Sequence, residues 1–187
     1  MTDEPVTPGG VPAGADTNPT RLLGIFHFSF TVSDLDAAIV FYRDLLGFTF
    51  VHRQVQDNAY TRRLVGYPDA RIEVAQFAVP GERRGLSTHD LELVCYETPR
   101  GRRSEPEIRN PGEAHLAIAV EDAQAMYERL SAAGIRFFSP PNEITEGVNR
   151  GGKACYFHGP DQIVHELLQP PAARIAAYLE TQPGGPA

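Results

Sequence analysis

Four side chains in this sequence are of the types that do chemistry together: His27, Glu92, His115 and Glu166. Imidazole nitrogen and carboxylate oxygen form a mixed donor set. Two of each suit one divalent ion such as Zn, Ni, Co, Mn or Fe(II), with coordination positions left for water or substrate. Their spacing is what singles them out. His27 opens the run His27-Phe-Ser-Phe-Thr-Val-Ser-Asp34, and His115 opens His115-Leu-Ala-Ile-Ala-Val-Glu-Asp122, so each histidine precedes an aspartate by seven positions. A glycine follows 20 positions after His27 (Gly47) and 19 after His115 (Gly134). Each copy then reaches a Glu-Leu pair, Glu92-Leu93 or Glu166-Leu167, and soon after it a proline, Pro99 or Pro170. A lone strand histidine is ordinarily structural, and a lone strand glutamate ordinarily faces water. Repetition of both at matching places points to a shared ion.

The elements that must carry these residues follow from pattern. The segments 26–32 and 114–120 alternate as half-buried strands do. In the first, Phe26, Phe28, Phe30 and Val32 take one face, leaving His27 on the other with Ser29 and Thr31. In the second, His115 shares its face with Ala117 and Ala119, whose small side chains leave room above the sheet. Glu92 and Glu166 are flanked by residues of opposite parity, and a carboxylate buried in such a strand without a partner is costly. Asp34 and Asp122 are helix N-caps, and Gly47 and Gly134 close the helices. Further strands are expected over 48–54, 72–79, 91–96, 136–138, 154–157 and 163–169. Each copy is thus one strand, one helix and three strands. The expected organisation is a disordered tail (1–20), a first βαβββ module (21–98), a linker (99–111), a second module (112–171) and a C-terminal helix or tail (172–187). The remaining histidines, His52, His89, His158 and His165, have no repeated counterpart and read as structural or surface residues. His165 is opposite in parity to Glu166 and should not join its site.

Composition narrows the partners. The formal net charge is −7 over 187 residues, which disfavours nonspecific binding to nucleic acid or acidic membranes. The densest basic cluster, Arg100, Arg102 and Arg103, reads as a solvated loop. Two cysteines, Cys95 and Cys155, sit apart in apolar stretches, which suggests free thiols in a reducing compartment. No signal-peptide pattern or bilayer-length apolar run is present, so a cytoplasmic location is expected. Unpaired edges of short strands suggest a homodimer.

These residues resemble the vicinal oxygen chelate superfamily. The resemblance rests on His27-Phe-Ser-Phe-Thr-Val-Ser-Asp-Leu-Asp36, Phe41-Tyr-Arg-Asp-Leu-Leu-Gly47, Leu91-Glu-Leu-Val94, Ala114-His-Leu-Ala117 and Gly159-Pro-Asp-Gln-Ile-Val-His-Glu-Leu-Leu168. It implies an α+β fold of two tandem βαβββ modules whose mixed sheets curl as a half-open barrel around a metal. The second ligand position carries Glu92, as in glyoxalase I-type members; methylmalonyl-CoA epimerases usually have Gln there, and extradiol dioxygenases leave that position open. The implied activity is a metal-dependent lyase or isomerase, of glyoxalase or epimerase type. It would act on a small substrate with vicinal oxygens through a metal-bound enediolate, with Glu166 and then Glu92 as candidate base. Tyr60, Arg62, Arg63, Asn149, Arg150 and Lys153, read as loop residues, are candidates to hold an anionic substrate. An Fe(II) or Mn(II) ring-cleaving dioxygenase and a non-catalytic drug-binding resistance module are the alternatives.

Overall fold

The computed structural model describes residues 22–81 and 85–182, so the tail expected over 1–20 lies outside the described residues, as do 183–187. The first repeat forms β1 (Phe28–Thr31), α1 (Leu35–Val40), β2 (Thr49–Gln56), α2 (Ala59–Val65), β3 (Arg71–Ala78) and β4 (Leu91–Thr98). The second forms β5 (His115–Ala119), α3 (Ala123–Ala132), β6 (Asn142–Glu143), β7 (Lys153–His158) and β8 (Val164–Gln169), and α4 (Ala172–Glu180) follows. Each repeat makes one four-stranded sheet, in the orders β1-β4-β3-β2 and β5-β8-β7-β6. In both, the first strand runs parallel to the last and the other pairs are antiparallel. This is the α+β fold of paired βαβββ modules, with no closed barrel among the described residues.

Local chemistry explains the repeat. The Asp34 side chain accepts the Ala37 N–H, and Asp122 accepts those of Gln124 and Ala125, satisfying donors that a helix start leaves orphaned. Gly47 and Gly134 both sit at φ 84, a conformation that only glycine adopts without strain. Two expectations are corrected. The first module holds an additional helix, α2, which Asn58 caps through the Thr61 N–H and left-handed Gly66 ends. That segment is too short for its periodicity to stand out. The strand expected over 136–138 shrinks to a single bridge between Phe137 and Phe157. Pro140 and Pro141 follow at once, and proline supplies no ladder donor.

One hydrophobic core joins the modules. Leu35, Ile39, Phe41, Phe77, Leu91 and Leu93 of the first pack in the same cluster as Leu130, Cys155, Phe157 and Leu167 of the second. Residues Phe41–Leu45 continue α1 as a π-helical turn that buries both Phe41 and Tyr42. The Tyr42 hydroxyl then reaches His165 Nε2 at 2.9 Å, while His165 Nδ1 lies 3.1 Å from the Ile163 carbonyl. Nδ1–H therefore donates to the carbonyl, and Nε2 accepts from the tyrosine. A Cβ on Gly159 would lie 2.5 Å from this imidazole, so the backbone passes where no side chain fits. Asp161 accepts both the Ser33 N–H (2.7 Å) and hydroxyl (2.6 Å) across the module junction. Arg103, a linker arginine that stays 74% exposed, pairs with the same carboxylate at 3.0 Å.

The His165 contact carries a pH dependence. Burial pushes its pKa down from 6.5 to about 4, the Ile163 carbonyl opposing only part of that. Between these values the unfolded chain binds a proton that the folded one refuses, so stability must fall as pH falls through that window. Chemical denaturation of the metal-free protein should show a loss of about 3 kcal/mol from pH 7 to pH 4 attributable to this group. The loss should be much smaller in His165→Phe than in the parent.

Candidate metal centre

His27 stands just before β1, and Glu92 lies in β4, the strand hydrogen-bonded to it. Their register pairs Ser29 with Glu92; that of the second sheet pairs Ala117 with Glu166. In each sheet the histidine is two residues before the paired residue, so imidazole and carboxylate share a face. The flanking Leu91, Leu93 and Leu167 turn the other way and are almost fully buried in the core. Parity thus assembles two equivalent pairs. His27 Nε2 lies 3.8 Å from Glu92 Oε1, and His115 Nε2 lies 3.2 Å from Glu166 Oε2.

The donor sets fit a divalent ion. Two ligand atoms each about 2.1 Å from an ion and roughly at right angles are about 3 Å apart, close to the His115–Glu166 spacing. The carboxylates of Glu92 and Glu166 are 17% and 15% exposed. Glu92 is contacted by Gln76 Nε2 at 3.3 Å, His27 and His89, none of them a permanent cation. A largely covered carboxylate with no permanent cation among these contacts is the setting in which a metal would supply the missing positive charge.

Among the described residues, the two pairs form no single four-donor cluster. The donors that all lie within 4.8 Å of one another are those of His27, His89 and Glu92, while His115 and Glu166 belong to the other sheet. Ser29, Thr31, Ala117 and Ala119, beside the ligands on the same faces, are exposed. Each module therefore presents an open half-site. A cavity of about 490 Å³ does lie between the modules, but its walls come from residues such as Val32, Ser33, Cys95, Arg103 and Asp161, and none of the four candidate ligands lines it.

Other residues join each half-site. His89 is 5% exposed, with Nε2 3.1 Å from His27 Nδ1 and 3.6 Å from Glu92. The repeat hides it, because its counterpart three positions before Glu166 is Ile163. Gln76 and Tyr156 sit opposite Glu92 and Glu166 in the register, which pattern alone does not reveal. The Tyr156 ring packs edge-on against His115 at 5.2 Å, and burial, then the Glu166 charge, push its pKa up. Tyr96, sharing the Glu92 face, meets Tyr67 beyond the end of α2.

Of the residues read as substrate-holding loops, Tyr60, Arg62 and Arg63 are instead on α2. Tyr60 is 62% exposed, and Arg62 is paired with Asp57. Asn149 accepts a hydrogen bond from Arg174 of α4, Arg150 is exposed, and Lys153 begins β7 rather than lying in a loop. His52 is exposed on β2, His158 stacks on Phe138, and His165 is in the core.

Residues 24–167 match the family model described as the Glyoxalase/Bleomycin resistance protein/Dioxygenase superfamily, and the chain belongs to that superfamily. It is 35% identical over 154 residues to a 2-epi-5-epi-valiolone epimerase of an Actinomyces species, covering 80% of this chain and 81% of that protein. It is 23% identical over 145 residues to a lactoylglutathione lyase of Arabidopsis thaliana, covering 76% of this chain but only 43% of that longer relative. A crystal structure of a glyoxalase family protein from Bacillus cereus superposes with a TM-score of 0.69 at 23% identity, covering 85% of this chain and all (100%) of that one. The relatives support an enzyme of the superfamily's isomerase, epimerase or lyase kind. No helix among the described residues is long and apolar enough to cross a membrane.

Proposed function

We propose that this chain is a divalent-metal-dependent epimerase or isomerase of a small substrate that carries a carbonyl beside a hydroxylated carbon. The observation that carries the reading is the pair of matched half-sites, each one imidazole and one carboxylate on an open sheet face. The 35% identity to an epimerase supports the reaction class. Bound there, the ion supplies Lewis-acid polarisation of neighbouring substrate oxygens, which acidifies the C–H next to the carbonyl. The chain's own part is proton transfer. One carboxylate takes the proton from carbon, and a carboxylate returns one to the opposite face, so configuration inverts with no change of oxidation state. Glu166 is the stronger candidate for the first step, because Glu92 already accepts a hydrogen bond from Gln76.

The half-sites are completed, in this reading, by a second copy of the chain. His27 and Glu92 would face the partner subunit's His115 and the partner subunit's Glu166, covering both faces and the apolar residues beside His27, of which Ile25 is 90% and Phe26 56% exposed. Elemental analysis should find about one divalent ion per chain, and His115→Ala or Glu166→Ala should lower that content clearly.

The direct test is turnover in deuterated water with 2-epi-5-epi-valiolone and simpler hydroxyketones. Deuterium should enter at the carbon beside the carbonyl, stop on chelation and return with Ni, Co or Zn. Absence of exchange with every ion and ketone would overturn the proposal. One observation favours a second reading: two histidines and a carboxylate, His27, His89 and Glu92, are the donor types of non-haem Fe(II) oxygenases. Activity that requires O₂, with its atoms found in product, would establish that reading instead.

A further inference from the structure

We propose that His89 is a positioning residue: it accepts the Nδ1–H of His27 and thereby holds His27 in the tautomer whose Nε2 lone pair faces Glu92. The inference rests on the metal reading above and concerns how this chain prepares one of its ligands. Neutral imidazole carries its proton on one nitrogen only, so a ligand histidine is ready for an ion only when the other nitrogen is the protonated one. Ligating histidines therefore usually donate that second N–H to a fixed acceptor.

The proton positions can be traced outward. Ser87 Oγ donates its hydrogen to the His89 carbonyl and accepts the His89 backbone N–H at 3.2 Å. Toward His89 Nδ1, 3.5 Å away, the hydroxyl then offers only a lone pair. With the Nε2 lone pair of His27 turned to an ion, as the matching edge of the second half-site implies, the His27 proton is on Nδ1. His89 Nε2, 3.1 Å from that Nδ1–H, is the acceptor, and the His89 proton then falls on Nδ1, toward the Ser87 lone pair. The rings are stacked, with centroids 5.0 Å apart and planes at 27°, and Phe26 packs edge-on against both. Burial of His89 keeps water from competing for this hydrogen bond.

The internal repeat decides between positioning and direct ligation. In the second half-site it is Nε2 of His115 that faces the carboxylate. The same edge exists in the first, Nε2 of His27 toward Glu92. Sharing an ion between His27 Nδ1 and His89 Nε2 would abandon the arrangement that the repeat preserves. Ile163 replaces His89 in the second module and can accept no proton, so the device belongs to the His27 half-site alone.

The test combines metal-free and metal-bound readouts on the full chain. Long-range ¹H–¹⁵N correlation spectra of the metal-free protein should show His27 protonated at Nδ1, and a population protonated at Nε2 should appear in His89→Leu. Competition against a chelator should show Ni or Zn bound about 10- to 100-fold more weakly by His89→Leu. His89→Gln, whose amide oxygen accepts where Nε2 did, should recover most of that loss. X-ray absorption of the Co-loaded protein should count the same number of histidine ligands in wild type and His89→Gln. His27 protonated at Nε2 in the wild type, unchanged affinity in His89→Leu, or loss of one histidine ligand in His89→Gln would each overturn the proposal. The last would make His89 a direct ligand. A wild type that binds no divalent ion would sink the metal reading itself, while the metal-free spectra would still judge the direction of the His89–His27 hydrogen bond. If His89→Leu does not fold, the wild-type spectra and His89→Gln decide.

Discussion

Glu166→Gln is expected to retain most of the bound metal and lose most turnover, on the order of 10²- to 10⁴-fold, the usual worth of a positioned general base. The amide still offers an oxygen to the ion beside His115, and its size is almost unchanged, so the 3.2 Å edge survives. What it cannot do is take a proton from carbon. Fold is not at risk, because Glu166 points away from the core that Leu167 and His165 fill. Metal content by elemental analysis and deuterium exchange in single turnovers separate the two effects. Parallel loss of metal and activity would make Glu166 a ligand only. Undiminished turnover would move the base to Glu92 or elsewhere, and Glu92→Gln is the matching experiment.

Mixing two inactive variants should restore activity. His27→Ala and His115→Ala each damage every site in their own homodimers. If a site takes one half from each copy, a mixed dimer holds one doubly damaged site and one intact site. Random exchange of equal amounts makes half the dimers mixed, so recovery should approach about a quarter of wild-type activity. Sites built within one chain would recover nothing. The structure motivates the experiment: the two half-sites lie on separate sheets, and His115 and Glu166 stand outside the cluster of His27, His89 and Glu92. Mild denaturation and refolding together ensures exchange, and a single-variant control treated alike should stay inactive. Light scattering that finds only monomer at assay concentration would argue against the shared site.

The sequence by itself determined a good deal. Strand parity is a local property with a period of two, so the alternation around His27, Glu92, His115 and Glu166 was enough to place each histidine and its carboxylate on one face and the leucines on the other. Helix starts at Asp34 and Asp122 and helix ends at Gly47 and Gly134 are equally local, since caps are satisfied within one turn. The repeat made the two-module architecture legible because both copies solve the same folding problem with the same residues.

Only the tertiary structure decided what meets across distance. His89 reaches His27 because parallel pairing of β1 with β4 brings the start of β4 beside the start of β1. Nothing in the local pattern around His89 announces it, and the comparison of repeats hides it behind Ile163. Tyr42 and His165 are 123 residues apart, and their buried bond exists because a π-helical turn and a glycine at 159 let the modules close on each other. The same closure leaves the two ligand faces open in the single chain. Donor types and parity could name four candidate ligands; whether they meet within one chain or between two depends on which apolar faces pack together, a matter of burial summed over the whole core rather than of any local run of residues.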